Sequence, residues 1–211
     1  SNVLRRADGV VETAEFIQCV GIKNNSGPNA ALMSGAYNVI SVGKSDGVNG
    51  FGTSQLDSDY VSGRTRPEIV APLTSSSGAT PVIAASAAFL VDLGKNTGLS
   101  TDLSVTYTTN RMSDTIYNAE RSEVIKAALM AGAVRATNNG SVANITDYRV
   151  DVANQTDNGL DRRFGAGQVN IYNSYHIIAA GEQNSDEEDG PSGNGDIATS
   201  GFDYDPSFGG A

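Results

Sequence analysis

Short apolar runs rich in β-branched residues lie in the first third of the chain. Ala14–Ile22 and Tyr37–Val42 are bounded by Gly, Asn and Pro, which predicts two buried strands. Glu68–Ala71 predicts a third, weaker strand. These runs are short and nearly continuous in apolar residues, as expected for strands that are covered on both faces.

Helical patterns follow these strands along the chain. The predicted helices are Ala79–Leu93, Ser122–Ala133 and Asn170–Ala180. The first is apolar on nearly every face, so we expect it to be central and buried. Strands followed by helices predict a layered α/β domain.

Composition narrows the classes of function. The chain has 211 residues with a formal net charge of -10, which disfavours nucleic acid as a partner. Cys19 is its only cysteine and His176 its only histidine, which excludes an internal disulfide and a zinc site of the usual Cys/His spacing. We expect Cys19 to be a small core residue. No apolar run is long enough to predict a membrane span.

A change of composition predicts the domain boundaries. Residues 1–183 are even in composition and form the predicted domain, whereas 184–201 are rich in Gly, Ser, Asn and acids and predict a linker. Aromatic residues return in 202–211, which predicts the start of a following segment or domain.

A serine stands where the longest predicted helix begins. Ser77 precedes an Ala-Thr-Pro helix start, and Pro81 in the first turn loses no hydrogen bond there. Free amides and the positive end of the helix dipole favour negative charge at this position, so a nucleophilic hydroxyl and its oxyanion gain most from it. The alternative is a Ser-rich loop that merely caps a core helix.

The surrounding motifs resemble those of the subtilisin-like serine proteases (subtilases). Residues 75–81 (Ser-Ser-Ser-Gly-Ala-Thr-Pro) are similar to the family's nucleophile signature Gly-Thr-Ser-x-Ala-x-Pro, and 66–72 (Arg-Pro-Glu-Ile-Val-Ala-Pro) to the strand that precedes it. The resemblance makes Ser77 the nucleophile. It implies an incomplete, C-terminal half of a subtilisin-like three-layer α/β domain with a mainly parallel sheet.

Three further motifs follow in the family's order. Residues 23–27 (Lys-Asn-Asn-Ser-Gly) resemble the oxyanion motif, which would make Asn25 the oxyanion-hole side chain. The alternative for Asn25 is an ordinary Asn turn after a strand. Residues 122–129 resemble the helix after the nucleophile, and 164–170 (Phe-Gly-Ala-Gly-Gln-Val-Asn) resemble the closing turn.

The Asp and His of the family's triad lie far upstream of the oxyanion Asn, and neither motif is present before Asn25. The resemblance therefore implies that a segment or chain outside these residues supplies both. His176 lies on the terminal helix, where we expect a structural role. An esterase with Ser77, Asp161 and His176 in that order is a weaker alternative, because the Gly-x-Ser-x-Gly elbow is absent.

The resemblance implies an exported serine endopeptidase that acts on peptides or proteins and needs no cofactor. Ser75 and Ser76 replace the family's Gly-Thr, so Ser76 keeps a hydroxyl for an auxiliary oxyanion contact. Family members often bind structural calcium, but the acidic run 186–189 lacks alternating ligand spacing and is expected to be a solvated linker. The rival hypothesis is a non-catalytic subtilase-like pseudoenzyme or peptide-binding module.

Overall fold

The computed structural model describes residues 2–25, 33–50, 52–54, 64–101, 105–137, 159–183 and 198–205. Its α-helices are α1 Asn2–Ala14, α2 Ser76–Gly94, α3 Ser122–Ala131 and α4 Ile171–Ala179. Its strands are β1 Cys19–Gly21, β2 Ile40–Lys44, β3 Gly52–Ser54, β4 Arg64–Arg66, β5 Ile69–Ala71, β6 Tyr107–Thr109 and β7 Thr115–Tyr117.

A parallel sheet lies at the centre of the described part of the chain. Its strands are ordered β1-β2-β5, with Cys19 opposite Ile40 and Val42 opposite Ile69. An isolated parallel bridge from Val70 to Gln168 brings the predicted closing turn alongside β5. Two antiparallel pairs, β3-β4 and β6-β7, lie outside this sheet. The chain is therefore a mixed α/β protein with a parallel sheet, as predicted.

Successive side chains of each strand point to opposite faces of the sheet, and the two faces pack against different helices. Ile40, Val42 and Ile69 belong to the main core cluster, to which α2, α3 and α4 also contribute. Val20 points to the opposite face and packs against the cluster that contains Leu4 of α1. Helices thus cover the sheet on both sides.

Glu68 ties the sheet to a helix. Its carboxylate accepts hydrogen bonds from the backbone N–H of Ser41 at 2.9 Å and from Lys126 Nζ of α3 at 2.7 Å. Both Glu68 and Ser41 are buried. Glu68, the acidic residue of the 66–72 motif, therefore connects β2 to α3. These bonds also compensate for the burial of its charge.

The first helix was not predicted from the sequence. Leu4, Ala7 and Val11 follow helical spacing and are the buried residues of α1. The predicted strand 14–22 is shortened to β1, because α1 runs to Ala14 and Glu15 then adopts a left-handed φ of 52°. The other predicted strands and the three predicted helices are present, with ends shifted by a few residues.

The described residues bury α2 along one stripe only, contrary to the expectation of a helix covered on every side. The buried residues of α2 are Ser76, Ala79, Ile83, Ala87, Leu90 and Gly94. By length and composition α2 could cross a membrane, yet this stripe packs in the protein core.

The residues after the predicted linker return to the domain. Phe202 donates its backbone N–H to the Gly181 carbonyl at 3.2 Å, and the Arg121 guanidinium lies 4.0 Å from the centre of the Tyr204 ring. Residues 184–197, including the acidic run 186–189, and residues 206–211 lie outside the described residues. The linker and the domain boundaries remain predictions.

Candidate active site

The C-terminal ends of β1 and β5 lie at the same edge of the parallel sheet, and the chain after each of them leads to the beginning of α2. After β1 the chain continues through Ile22 to Asn24 and Asn25, and after β5 it continues to the Ser75 cap of α2. In parallel α/β sheets this edge is where binding and catalytic groups collect, because the connecting loops and helix N-termini converge there.

Ser75 and Asn24 fix the start of α2. Ser75 is the N-cap, with extended backbone (φ −145°, ψ 151°), and its Oγ accepts a hydrogen bond from the Gly78 N–H at 3.0 Å. Asn24 Oδ1 accepts a hydrogen bond from the backbone N–H of Ser76 at 2.6 Å. A side chain from the β1 loop thus satisfies the first amide of the helix.

Ser76 is directed into the protein. It is 2 % exposed, and its hydroxyl donates a hydrogen bond to the carbonyl of Ile22. The auxiliary oxyanion contact predicted for Ser76 requires this hydroxyl to leave that carbonyl. In the structure the Ser76 side chain connects the residue after β1 to the start of α2 by this hydrogen bond.

Ser77 points the other way. It is exposed, and within the described part of the chain neither its hydroxyl nor its backbone N–H has a hydrogen-bond partner. Because the neighbouring amides of Ser76 and Gly78 are both bonded, the Ser77 N–H is the unoccupied donor of this first turn. A free hydroxyl and a free amide at the positive end of a 19-residue helix can receive developing negative charge.

Asn25 follows Asn24 on the same loop. Its side chain is exposed and has no hydrogen-bond partner among the described residues. The bond from Ser76 to Asn24 holds this loop against the turn that carries Ser77. Its amide N–H groups are therefore available to a ligand.

Asn24 is the site residue that sequence reasoning missed. The family resemblance assigned a role to Asn25 only, since the family has Gly where this chain has Asn24. An Asn beside a Ser-rich helix start was the available signal, because Asn side chains commonly accept hydrogen bonds from helix N-terminal amides. Asn24 and Ser76 are 52 residues apart, so their pairing depends on the tertiary fold.

The structure does not bring His176 to Ser77. His176 is exposed on α4 and stacks edge-on against Tyr172, with ring centres 4.4 Å apart. Its neighbour Tyr175 packs on Phe89, with ring centres 6.0 Å apart. Phe89 is twelve residues beyond Ser77, about 18 Å along the axis of α2. This separation disfavours the esterase alternative.

Asp161 is hydrogen-bonded within the closing turn. It is fully buried, and its Oδ1 accepts hydrogen bonds from the backbone N–H groups of Arg163 at 2.7 Å and Phe164 at 3.1 Å. The Gly165 that follows has φ 60°, and a Cβ there would meet the Glu68 carbonyl oxygen. Asp161 therefore shapes the closing turn.

Cys19 lies on β1, half-buried against the main core cluster. Burial first, and the charge of Glu68 second, raise the pKa of its thiol to about 11. The thiol is therefore protonated at neutral pH, a state in which it is a poor nucleophile and a poor metal ligand. Among the described residues, no group of three His, Cys, Asp or Glu side chains is arranged to hold a metal ion.

The comparisons with known proteins are sparse. No family model matches the chain, and no curated protein matches it. Among solved structures the chain is similar to the patellamide maturation protease PatA, with a TM-score of 0.42 and 16% identity. The match covers 77% of this chain and 51% of that one, so the chain spans about half the length of that structure.

Proposed function

We propose that this chain is part of a subtilisin-like serine endopeptidase with Ser77 as its nucleophile. The observation that carries the proposal is the bond from the Ser76 N–H to Asn24 Oδ1, which holds the Asn25 loop against the helix turn with an exposed Ser77. The motif resemblance assigned Ser77 and Asn25 to one site although they are far apart in the sequence. The Ser76–Asn24 bond joins their loops, and this contact supports the proposal.

In the proposed reaction, Ser77 Oγ attacks the carbonyl carbon of a peptide bond while a histidine takes the hydroxyl proton. The resulting oxyanion receives hydrogen bonds from the Ser77 N–H and from the side-chain N–H of Asn25. The C–N bond then breaks, the amine leaves with the proton from the histidine, and water hydrolyses the acyl-enzyme. The histidine and its orienting aspartate belong to a segment outside residues 1–211.

The context of this activity is also a proposal. The resemblance favours an extracytoplasmic protease with peptide or protein substrates. The proposed chemistry requires no cofactor, and structural calcium is the metal that the resemblance allows. The acidic net charge of -10 disfavours nucleic acid as a partner.

A non-catalytic, peptide-binding relative is the second candidate. The observation that favours it concerns Ser76, which replaces the family's Thr. Its hydroxyl already donates a hydrogen bond to the Ile22 carbonyl, so it is not free to stabilise an oxyanion. Such a protein would retain the exposed first turn of α2 as a binding surface and would lack turnover.

The proposal is tested with the whole protein as its gene encodes it, of which residues 1–211 are the part described. The assay measures hydrolysis of labelled casein or of a peptide library. We expect Ser77→Ala to reduce cleavage to background. The matched control is Ser86→Ala on the same helix, where Ser86 Oγ donates only to the Val82 carbonyl at 2.9 Å. Full activity in Ser77→Ala would overturn the endopeptidase proposal, and binding of peptides without cleavage by the unmodified protein would support the second candidate.

A further inference from the structure

A surface cavity lies between α1, α3 and the segment that precedes β2. Its volume is about 370 Å³, near the lower end of the range typical of small-ligand sites. Its lining residues are Glu12, Tyr37, Asn38, Ser122, Glu123 and Lys126. Residues 37 and 38 precede the N-terminal end of β2, whereas the turn with Ser77 follows the C-terminal end of β5. Because these strands are parallel, the cavity lies at the opposite edge of the sheet from the proposed active site.

Hydrogen bonds hold the three walls of the cavity together. The carboxylate of Asp8 on α1 accepts a hydrogen bond from the Asn38 N–H at 2.7 Å. Lys126 Nζ of α3 donates to the backbone carbonyl of Tyr37 at 2.7 Å. Glu15, which follows α1, accepts a hydrogen bond from the first residue of α3 at 3.1 Å. Each wall is bonded to the other two, so the cavity is formed before a ligand arrives.

The cation that lines the cavity is neutralised within the protein. Lys126 Nζ donates to the carbonyls of Tyr37 at 2.7 Å and Val39 at 3.0 Å. It also donates to Glu68 Oε1 at 2.7 Å. These three bonds match the three protons of the ammonium group. Lys126 therefore offers little to an anionic ligand.

Helix N-termini commonly attract anions, but carboxylates of this chain already lie at the start of α3. Glu15 Oε2 accepts a hydrogen bond from the Ser122 N–H at 3.1 Å. Glu123 Oε2 accepts one from the Ser122 hydroxyl at 3.0 Å. An anion in the cavity would have to approach these negative groups, so its binding is disfavoured.

The groups left over in the cavity are acceptors. Glu12 is exposed, and its carboxylate has no hydrogen-bond or ion-pair partner among the described residues. Asn38 donates both its N–H and its Nδ2 to Asp8, and no donor of the described residues bonds its Oδ1. Tyr37, 38% exposed, adds an aromatic side chain to the wall. Carboxylates and aromatic rings are the groups that bind guanidinium and ammonium ions.

We propose that this cavity binds the basic side chain of an arginine or lysine from a peptide or protein. The cation pairs with the Glu12 carboxylate, donates to Asn38 Oδ1 and contacts Tyr37. This inference goes beyond the proposed function and does not depend on it, because no residue of the cavity belongs to the proposed active site.

Calorimetric titration of the whole protein as its gene encodes it tests the cavity. The probe is N-acetyl-arginine amide, and its uncharged isostere N-acetyl-citrulline amide is the control probe. We expect the arginine probe to bind at least about tenfold more tightly than the citrulline probe, because only the arginine probe carries the charge that pairs with Glu12. Glu12→Gln should weaken binding of the arginine probe by about tenfold. The matched control is Asp92→Asn, which removes an exposed carboxylate outside the cavity and should leave binding unchanged.

Absence of binding by the arginine probe, equal binding of the two probes, or unchanged binding in Glu12→Gln would overturn the cavity proposal. Tighter binding of N-acetyl-glutamate amide would also overturn it, because that result identifies an anion site. Fluorophosphonate labelling of Ser77 in the same samples keeps the two proposals apart. Weakened probe binding in Glu12→Gln supports the cavity site whether or not Ser77 is labelled, whereas unlabelled Ser77 contradicts the proposed catalysis alone.

Discussion

Two adjacent asparagines have different surroundings at the proposed site. Asn24 is bonded to the buried Ser76 amide, whereas the side chain of Asn25 has no partner among the described residues. Removing Asn24 leaves a helix donor unsatisfied, and removing Asn25 leaves every described hydrogen bond intact. Substitution of Asn24 therefore tests a structural contribution, and substitution of Asn25 tests the proposed catalytic one.

We expect Asn24→Ala to lower the free energy of unfolding by about 1 kcal/mol, the usual cost of losing a helix-capping side chain. Asn25→Ala should leave stability unchanged and slow the labelling of Ser77 by about a hundredfold or more, the loss typical of removing one oxyanion-hole donor, as in subtilisin. Urea denaturation and fluorophosphonate kinetics on both variants check this. Unchanged labelling in Asn25→Ala would remove Asn25 from the proposed oxyanion hole.

Glu15 is a buried carboxylate with several charged and polar neighbours. Its Oε1 lies 3.1 Å from Arg121 Nη1, and its Oε2 accepts a hydrogen bond from the Ser122 N–H at the start of α3. Burial raises the pKa of Glu15 above its ordinary value of 4.5, Glu123 raises it further, and the Ser122 bonds and Arg121 lower it. Tyr204 stacks on the same Arg121.

A raised carboxylate pKa means that the folded protein holds this proton to a higher pH than the unfolded chain does. The contribution of Glu15 to stability is therefore full below pH 4.5 and declines as the pH rises through the folded pKa. We expect Glu15→Gln to gain in free energy of unfolding, relative to the unmodified protein, as the pH rises from about 4 to about 7. Urea titrations at each pH measure this difference, and the exposed Glu12→Gln serves as the control. A difference that does not vary with pH would contradict the assignment.

At the scale of elements, the two sides of α2 should respond differently to added volume. Ala87 is 1% exposed in the main core cluster, whereas Ala84 is exposed and lies outside the buried stripe of α2. In the 211-residue chain we expect Ala87→Leu to lower the free energy of unfolding by about 1 to 3 kcal/mol through overpacking. Ala84→Leu should change it by less than about 0.5 kcal/mol. Equal losses in the two variants would contradict the one-sided burial of α2.

The sequence predicted the elements whose apolar pattern is dense. β2, β5 and α2 were foreseen because continuous apolar runs identify buried strands and helices. The helix α1 was missed because only Leu4, Ala7 and Val11 are buried among polar neighbours. The one-sided burial of α2 was not visible either, since small apolar residues occur on all of its faces and composition does not record which face is packed.

The residues of the proposed site that belong to short local motifs could be named from the sequence. The motifs around Ser77 and Asn25 are local, so they could be recognised from residue types and spacing. The Asn24–Ser76 bond and the contact of Arg121 with Tyr204 join residues far apart in the sequence. Such contacts depend on how the strands and helices pack, which local patterns do not specify.

At the scale of the whole molecule, the described residues form a parallel sheet with helices on both faces, and Ser77 is exposed at the start of α2. The reaction proposed for Ser77 therefore depends on a histidine that the described residues do not place beside it.

The reactivity of Ser77 in the native gene product tests this account most directly. The protein is treated with a fluorophosphonate, and the adduct is located by intact mass and peptide mapping, with heat-unfolded protein and Ser77→Ala as controls. The account predicts a single adduct on Ser77 that is absent from both controls, because only an activated serine reacts at a useful rate. A folded native protein without this adduct, or with its adduct on another serine, would contradict the account.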